Sequence, residues 1–333
     1  MISLFLKQVI AILKLRWESR QPKTFNEKIK YKSAHDRRTI LTVFADKIKV
    51  RDYIAVSVGS EYLTKIYCVS YNLDAIDWQK IPEEFVFKVN HGSKGMVMVS
   101  KSADPGEKLP KNLETEGWNA YTIHPKSLNK EDLIRLGKHW LKLDYWWFPD
   151  CGRMPEWAYK NIKKGAIFEE LLITEYRESP ADYKFHIFNG KCKHVNVIHR
   201  FHAVKPGAER KTYSNIMDTN WKPMNVIFNE NPSLEVNPTK PIDFNKMLEI
   251  VEKLANGIDY LRVDLYKVGD RILVGELTNY PVAGQIKFNP ESFDLELGQK
   301  LILDKYRAQS LLLKVLRKLI RQDAPKNDWN AFS

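Results

Sequence analysis

Residues 260–284, YLRVDLYKVGDRILVGELTNYPVAG, place a carboxylate on each arm of what reads as a β-hairpin, Asp264 on the first arm and Glu276 on the second. Which residues meet depends on the turn. A two-residue turn at Gly269-Asp270 sets Asp264 against Gly275, whereas a three-residue turn that adds Arg271 sets it against Glu276. Only the second register makes a joint metal site. Opposed Cβ atoms then stand ~5 Å apart, a spacing that lets Mg²⁺ bridge both carboxylates and leaves positions open for phosphate oxygens. Arg262 shares the face of Asp264 by strand alternation, so its guanidinium meets the same phosphate or a developing oxyanion. The competing reading is a surface hairpin with ordinary solvated charges.

Upstream, EFVFKVN and MVMVS read as strands around HGSKG, with Lys88 on the first strand before Asn90, His91, Gly92, Ser93, Lys94 and Gly95. Glycines let backbone N–H groups approach phosphate, and lysines add point charges. The loop is neither a Walker A motif nor a dinucleotide fingerprint, since GxxxxGK[ST] and GxGxxG are both missing. A plain hairpin turn explains it equally well.

AIFEELLI, residues 166–173, reads as a strand that carries Glu169 and Glu170 among apolar neighbours. A hinge strand there offers backbone groups to adenine and a carboxylate to ribose, and a solvated edge is the alternative. Asn189-Gly190 predicts a two-residue hairpin between 183–188 and 191–201, with Asp182, Lys184 and His186 on one face. His186, His194, His199 and His202 have strand spacing, but no carboxylate or cysteine completes a convincing zinc set. Leu133, Leu136, Trp140 and Leu143 predict a helix over 129–143. Met247, Leu248, Val251, Leu254, Ala255 and Ile258 mark another, with Asp243 as cap and Gly257 as stop. The chain up to about Trp78 reads as helices with short loops.

The 333 residues, 44% hydrophobic, suffice for two domains or one elaborate α/β unit with lobes, and they exclude a small stapled scaffold, a disordered chain and a fibre. Lys and Arg exceed Asp and Glu by 53 to 41, a net charge of +12 that favours an anionic partner. The three cysteines, Cys68, Cys151 and Cys192, are far apart and form no CxxC pair, as free thiols in a reducing cytoplasm would. Lys7 and Lys14 interrupt the apolar N-terminal stretch well short of the ~20 residues of a membrane span. The tail SLLLKVLRKLIRQ combines an apolar stripe with Lys314, Arg317, Lys318 and Arg321, a helix suited either to anionic lipid or to packing on its own domain.

Taken in order, PKTFNEKIKY, ADKIKVRDY, EFVFKVNHGSKG, FEELL, DYKFHIFNGK, RVDLY and GELTNYPVAG resemble the TupA-like ATP-grasp family of bacterial surface-polysaccharide clusters. RVDLY and GELTN also look like the paired strands of D-alanine:D-alanine ligase, where an Arg-x-Asp and a later Glu-x-Asn hold metal and phosphate. The resemblance implies an α+β ATP-grasp fold, two lobes gripping ATP. Residues 1–80 form a mainly helical region, 81–172 the small lobe, 173–305 the large lobe and 306–333 a basic helix and tail.

It implies ATP and Mg²⁺ as cofactors, with Lys88 and residues 91–95 at phosphate. Glu169, Glu170, Leu171 and Leu172 become the adenine hinge and Lys184 a phosphate ligand. Arg262 stabilises an acyl phosphate, and Asp264 and Glu276 hold metal. Asn279 follows Glu276 by three residues rather than two, a departure that puts its metal role in question. The implied reaction is ATP-dependent amide formation between a carboxylated sugar, such as a hexuronate, and an amino acid or similar amine. Asn26, Glu27, Asp46, Lys47 and Arg51 in the N-terminal region, with Arg200 and Gly284, are the expected substrate positions; caps and surface salt bridges compete for them. The expected location is cytoplasmic, with peripheral contact at the inner membrane face. The alternatives are a non-catalytic nucleotide- or glycan-binding protein, and a kinase or glycosyltransferase. Nucleic acid is disfavoured because the aromatics are not interleaved with Lys and Arg.

Overall fold

A computed structural model describes residues 21–146, 155–176, 179–201 and 211–303, all within one compact unit that spans 1–303. The apolar N-terminal stretch and the basic C-terminal tail lie outside the described residues. No helix among the described residues is long and apolar enough to cross a membrane.

The first of two five-stranded sheets contains β1 (Ile66–Ser70), β2 (Phe85–Val89), β3 (Met96–Val99), β4 (Ala120–Ile123) and β5 (Ala166–Glu169), in the order β1-β5-β2-β3-β4. Strand alternation sends Phe85, Phe87 and Val89 to one face, where they pack with Leu133, Leu136 and Trp140 of the helix Lys130–Lys142. Asn129 caps that helix by accepting from the Glu131 and Asp132 amides at 2.8 and 3.1 Å. Lys88 and Glu169 therefore point to the opposite face.

The second sheet contains β6 (Asp182–Phe188), β7 (Lys191–Phe201), β8 (Lys211–Asp218), β10 (Tyr260–Val268) and β11 (Arg271–Thr278), in the order β11-β10-β6-β7-β8. A short antiparallel pair, β9 (Ile227–Phe228) with β12 (Phe288–Asn289), brings the Phe228 and Phe288 rings to 4.9 Å between centres. Phe185, Ile187, Val263 and Leu265 join a core with Met247, Val251 and Leu254 from the helix Phe244–Leu254. The N-terminal helices α1 (Phe25–His35), α2 (Thr39–Ala45) and α3 (Val50–Ser57) share this core through Phe25, Ile29, Leu41, Phe44 and Ile54. A buried ion network ties them to the entry of β10: Lys32 Nζ lies 3.0 Å from Asp36 and 2.5 Å from Asp259.

Three expectations change. The strand expected over 166–173 ends at Glu169, where its pairing with β2 stops, leaving only the Glu170 amide bonded to the Lys65 carbonyl at 2.9 Å. The N-terminal part is not purely helical, since IYCVS forms edge strand β1; five residues with one-sided pairing carry little periodicity. Asp243 makes no side-chain cap bond, and its carboxylate instead pairs with Lys267 at 2.5 Å.

The β10–β11 turn is the two-residue Gly269-Asp270, with Val268 opposite Arg271 and Gly269 at φ 55°, the glycine-first geometry of a tight hairpin. Even so, Asp264 lies opposite Glu276. A bulge between Asp264 and Leu265 in the pairing absorbs Gly275 and restores the joint register that the turn alone would have lost. A Cβ on Gly275 would stand 2.5 Å from the Tyr266 ring, so only glycine fits the bulge as packed. Gly275→Ala should destabilise the protein by about 1–3 kcal/mol in denaturant unfolding; an unchanged midpoint would show that the bulge tolerates a side chain.

Candidate active site

Asp264 is buried on the open face of the second sheet, opposite Glu276 on β11 and Lys184 on β6. Arg262, two residues away on the same face, grips it through Nε–Oδ1 at 2.6 Å and Nη2–Oδ2 at 2.8 Å, and the same Nη2 reaches Glu276 Oε2 at 3.4 Å. Lys184 Nζ donates to Asp264 Oδ2 and lies 2.7 Å from Asp182. Burial alone would push the Asp264 carboxyl up, but the Arg262 and Lys184 charges outweigh it and hold the group below the usual carboxylate range. Three carboxylates, Asp264, Glu276 and Asp182, thus face three cations, Arg262, Lys184 and Arg200, with Asp264 and Asp182 buried and Glu276 partly exposed.

The donor set suits a hard divalent cation. Asp264 and Glu276 supply charged oxygens in register. Asn279 is anchored by Nδ2 to the Leu41 carbonyl at 2.8 Å, while its buried Oδ1 has no hydrogen-bond partner. An orphaned amide oxygen just past Glu276 is what an oxygen-preferring ion would satisfy, despite the changed spacing. Tyr159, which sequence reasoning missed, adds an un-ionised phenol: burial pushes it well above its ordinary value, with Glu156 and Glu276 adding to the rise.

On the first sheet, Lys88 pairs with Glu169 at 2.5 Å, and Glu169 also accepts from Thr64 Oγ1 at 2.9 Å. Asn90, fully buried, accepts from the Gly165 amide at 2.8 Å and donates to the Asp46 carboxylate at 2.8 Å and the Lys163 carbonyl at 2.9 Å. That hub pins the Asp46-Lys47 turn to the glycine loop, where Lys47 Nζ donates to the Gly92 carbonyl. Burial pushes the Lys47 ammonium down, opposed by Glu276 and reinforced by Lys88. Lys47 therefore senses charges from both sheets.

The loop glycines serve packing as well as reach: a Cβ on Gly92 would stand 2.6 Å from Trp118, and one on Gly95, at φ 58°, would touch Trp118 and Val89 at 3.0 Å. Ser93 and Lys94 are exposed. His91 is buried, with Nε2 3.2 Å from the Leu143 carbonyl, and burial pulls its pKa down to about 4.

The other expected residues are more dispersed. Glu170 bonds Arg271 at 2.6 Å, and Leu171 and Leu172 follow it half-buried beyond the strand. Glu27 completes a capping box by accepting from the Lys23 and Thr24 amides at 2.7 and 3.0 Å. Asn26 bonds Asp294 and Ile286, and Gly284, at φ 70°, packs where a Cβ would stand 2.8 Å from the Asn26 carbonyl. These three are committed to holding α1 in place. Arg51 donates to Thr64, and Arg200 bonds Asp182 through both Nη atoms at 3.2 Å. His186 and His194 stack 4.3 Å apart among Phe188, Phe228 and Phe293, as a core pair, and His202 lies outside the described residues.

Residues 27–302 match the family described as TupA-like ATPgrasp. This chain belongs to that family. Its two sheets are those of the ATP-grasp fold, as the sequence resemblance implied. No curated protein matches it. Among solved structures, the chain is similar to ATP-grasp ligase PsnB complexed with minimal precursor, at 11% identity, covering 74% of this chain and 55% of that one with a TM-score of 0.36. It is also similar to D-alanine–D-alanine ligase from Bacillus anthracis complexed with ATP, at 12% identity over 72% of this chain and 58% of that one, TM-score 0.37. For N5-carboxyaminoimidazole ribonucleotide synthetase from Thermus thermophilus the values are 8%, 78%, 53% and 0.36. The chain thus spans little more than half the length of each of these.

Burial holds His194 near 3 and His91 near 4, so both stay neutral when folded. Below about 6.5 the unfolded chain takes up protons that the folded chain refuses, and stability falls by up to about 1.4 kcal/mol per pH unit for each histidine. Urea midpoints should therefore drop between pH 7 and pH 5, with a smaller drop in His194→Leu. Equal slopes in both proteins would show that His194 does not drive the loss.

Proposed function

We propose that the protein is an ATP-dependent carboxylate–amine ligase that forms an amide through an acyl phosphate, joining an amino acid or related amine to a uronic-acid carboxylate in surface-polysaccharide synthesis. The observation that carries the reading is Arg262 spanning Asp264 and Glu276 on opposed strands, in a chain of the TupA-like ATP-grasp family. In this reading residues 81–172 are the small lobe, 173–305 the large lobe, and residues 1–80 and 306–333 serve acceptor and anionic membrane contacts.

Bound Mg²⁺, held by Asp264, Glu276 and the Asn279 amide oxygen, would supply charge neutralisation on the transferring phosphoryl group. The chain's own cations do the rest. Lys88 and Lys47 meet phosphate from the side of the glycine loop, and Lys184 meets it from the sheet. Arg262, drawn off its carboxylates, offers a planar fork to the acyl phosphate and to the oxyanion of its amine adduct. The substrate carboxylate attacks the γ-phosphorus and ADP leaves; the amine then attacks the acyl carbon, phosphate leaves, and the amine proton passes to solvent or phosphate. No nucleophilic side chain takes part. Tyr159 stays protonated beside Glu276 as a hydrogen-bond donor.

Incubation with ATP, Mg²⁺ and a panel of uronic acids and amino acids, read by phosphate release and product mass, tests the reading. Asp264→Asn and Glu276→Gln should each lower turnover at least about 100-fold while the chain stays folded. Arg262→Lys should lower turnover more than ATP affinity. Wild-type turnover in either carboxylate variant would refute the metal assignment, and ADP formation without an amide product would make the protein a kinase.

A further inference from the structure

We infer that Thr64 and Arg51 are positioning residues which, through Glu169, fix the Lys88 ammonium where the nucleotide phosphate arrives. The inference rests on the nucleotide reading above. Lysine is a point charge on a flexible stem, and ordering that stem costs up to about 2 kcal/mol of rotamer entropy, so a lysine that must wait for phosphate gains from a fixed partner.

The geometry supplies one. On β5, Glu169 pairs with Val86 of β2, two residues before Lys88, and Lys88 pairs with Ile167. The two side chains are diagonal neighbours on the face opposite the helix, joined at 2.5 Å, with 17% and 10% of their surfaces exposed. One carboxylate oxygen holds Lys88, and the other accepts from the Thr64 hydroxyl at 2.9 Å. That hydroxyl has donated its only proton, so it turns a lone pair outward, and Arg51 Nη1 donates to it at 3.1 Å. Arg51 Nη2 donates to the Thr64 carbonyl at 2.6 Å, so the guanidinium grips both ends of the residue.

Every bond in the relay has a defined direction, leaving Glu169 one orientation. Glu169 bonds Lys88 with one oxygen and Thr64 with the other, while Arg51, which also senses Asp52 and Glu170, holds Thr64 from the far side, so the carboxylate steers the ammonium. Thr64 lies just before β1 and Arg51 lies on α3, which makes a residue of the helical region act on the nucleotide without touching it. Without the hydroxyl, Glu169 would lose a donor and turn toward Arg51, releasing Lys88.

The test is a double-mutant cycle on binding of a non-hydrolysable ATP analogue with Mg²⁺, measured by titration calorimetry on the full chain. Thr64→Val should weaken binding about tenfold, while Thr64→Ser, which keeps the hydroxyl, stays within about twofold of wild type. In a Lys88→Met background, Thr64→Val should cost nothing further, because its effect runs through Lys88. Should Thr64→Val not fold by thermal melting, Arg51→Met, which removes the outer end of the relay, takes its place in the same cycle. Wild-type affinity in the single variant, or losses that simply add in the double variant, would overturn the inference and leave the nucleotide reading intact. A wild-type chain that binds no analogue overturns both.

Discussion

The site depends on a buried carboxylate that is never left alone. Asp264 is almost fully shielded from water, and an isolated charge there would cost several kcal/mol. Arg262 and Lys184 offset that cost. In the proposed function the same groups that keep the carboxylate tolerable would meet a polyphosphate, so ligand entry would exchange partners around Asp264. A divalent cation alone would strand the two cations, and a nucleotide alone would strand the carboxylates. In the proposed function each ligand would therefore favour the other.

That balance is held by backbone geometry. Three adjacent strands bring Lys184, Asp264 and Glu276 side by side, and the Gly275 bulge sets the last of them in register. The opposite end of the same face is closed by aromatic packing, with Phe25 5.0 Å from Tyr260 and His194 5.7 Å from Phe228. Polar and apolar halves of one face thus do different work: one keeps charge available, the other keeps α1 on the sheet.

Much of this was legible in the sequence because it is local. Asn189-Gly190 adopts positive φ at both positions, 49° and 78°, as a two-residue hairpin demands, and Asp264 and Glu276 meet as the metal reading required. The route to that meeting was not legible. Turn length and bulge compensate, and a bulge depends on what packs over it, here the Tyr266 ring. Nor does spacing reveal that Glu27 completes a cap while Lys47, in a similar basic stretch, reaches the glycine loop. Thr64, Tyr159 and Trp118 belong to no motif and enter only through contacts distant in the chain.

The clasp between α1 and the segment after β11 bears on how the chain is made. Asn26 bonds Asp294 across 268 positions, and Lys28 Nζ reaches the Gly298 and Leu301 carbonyls at 2.7 and 2.6 Å. Phe25 of this helix packs on Phe188 and Tyr260, whereas its polar bonds to Asp294, Gly298 and Leu301 can form only after those far later residues have been made. Closing so long a loop is entropically costly, so the clasp belongs to the late steps of folding rather than to its start.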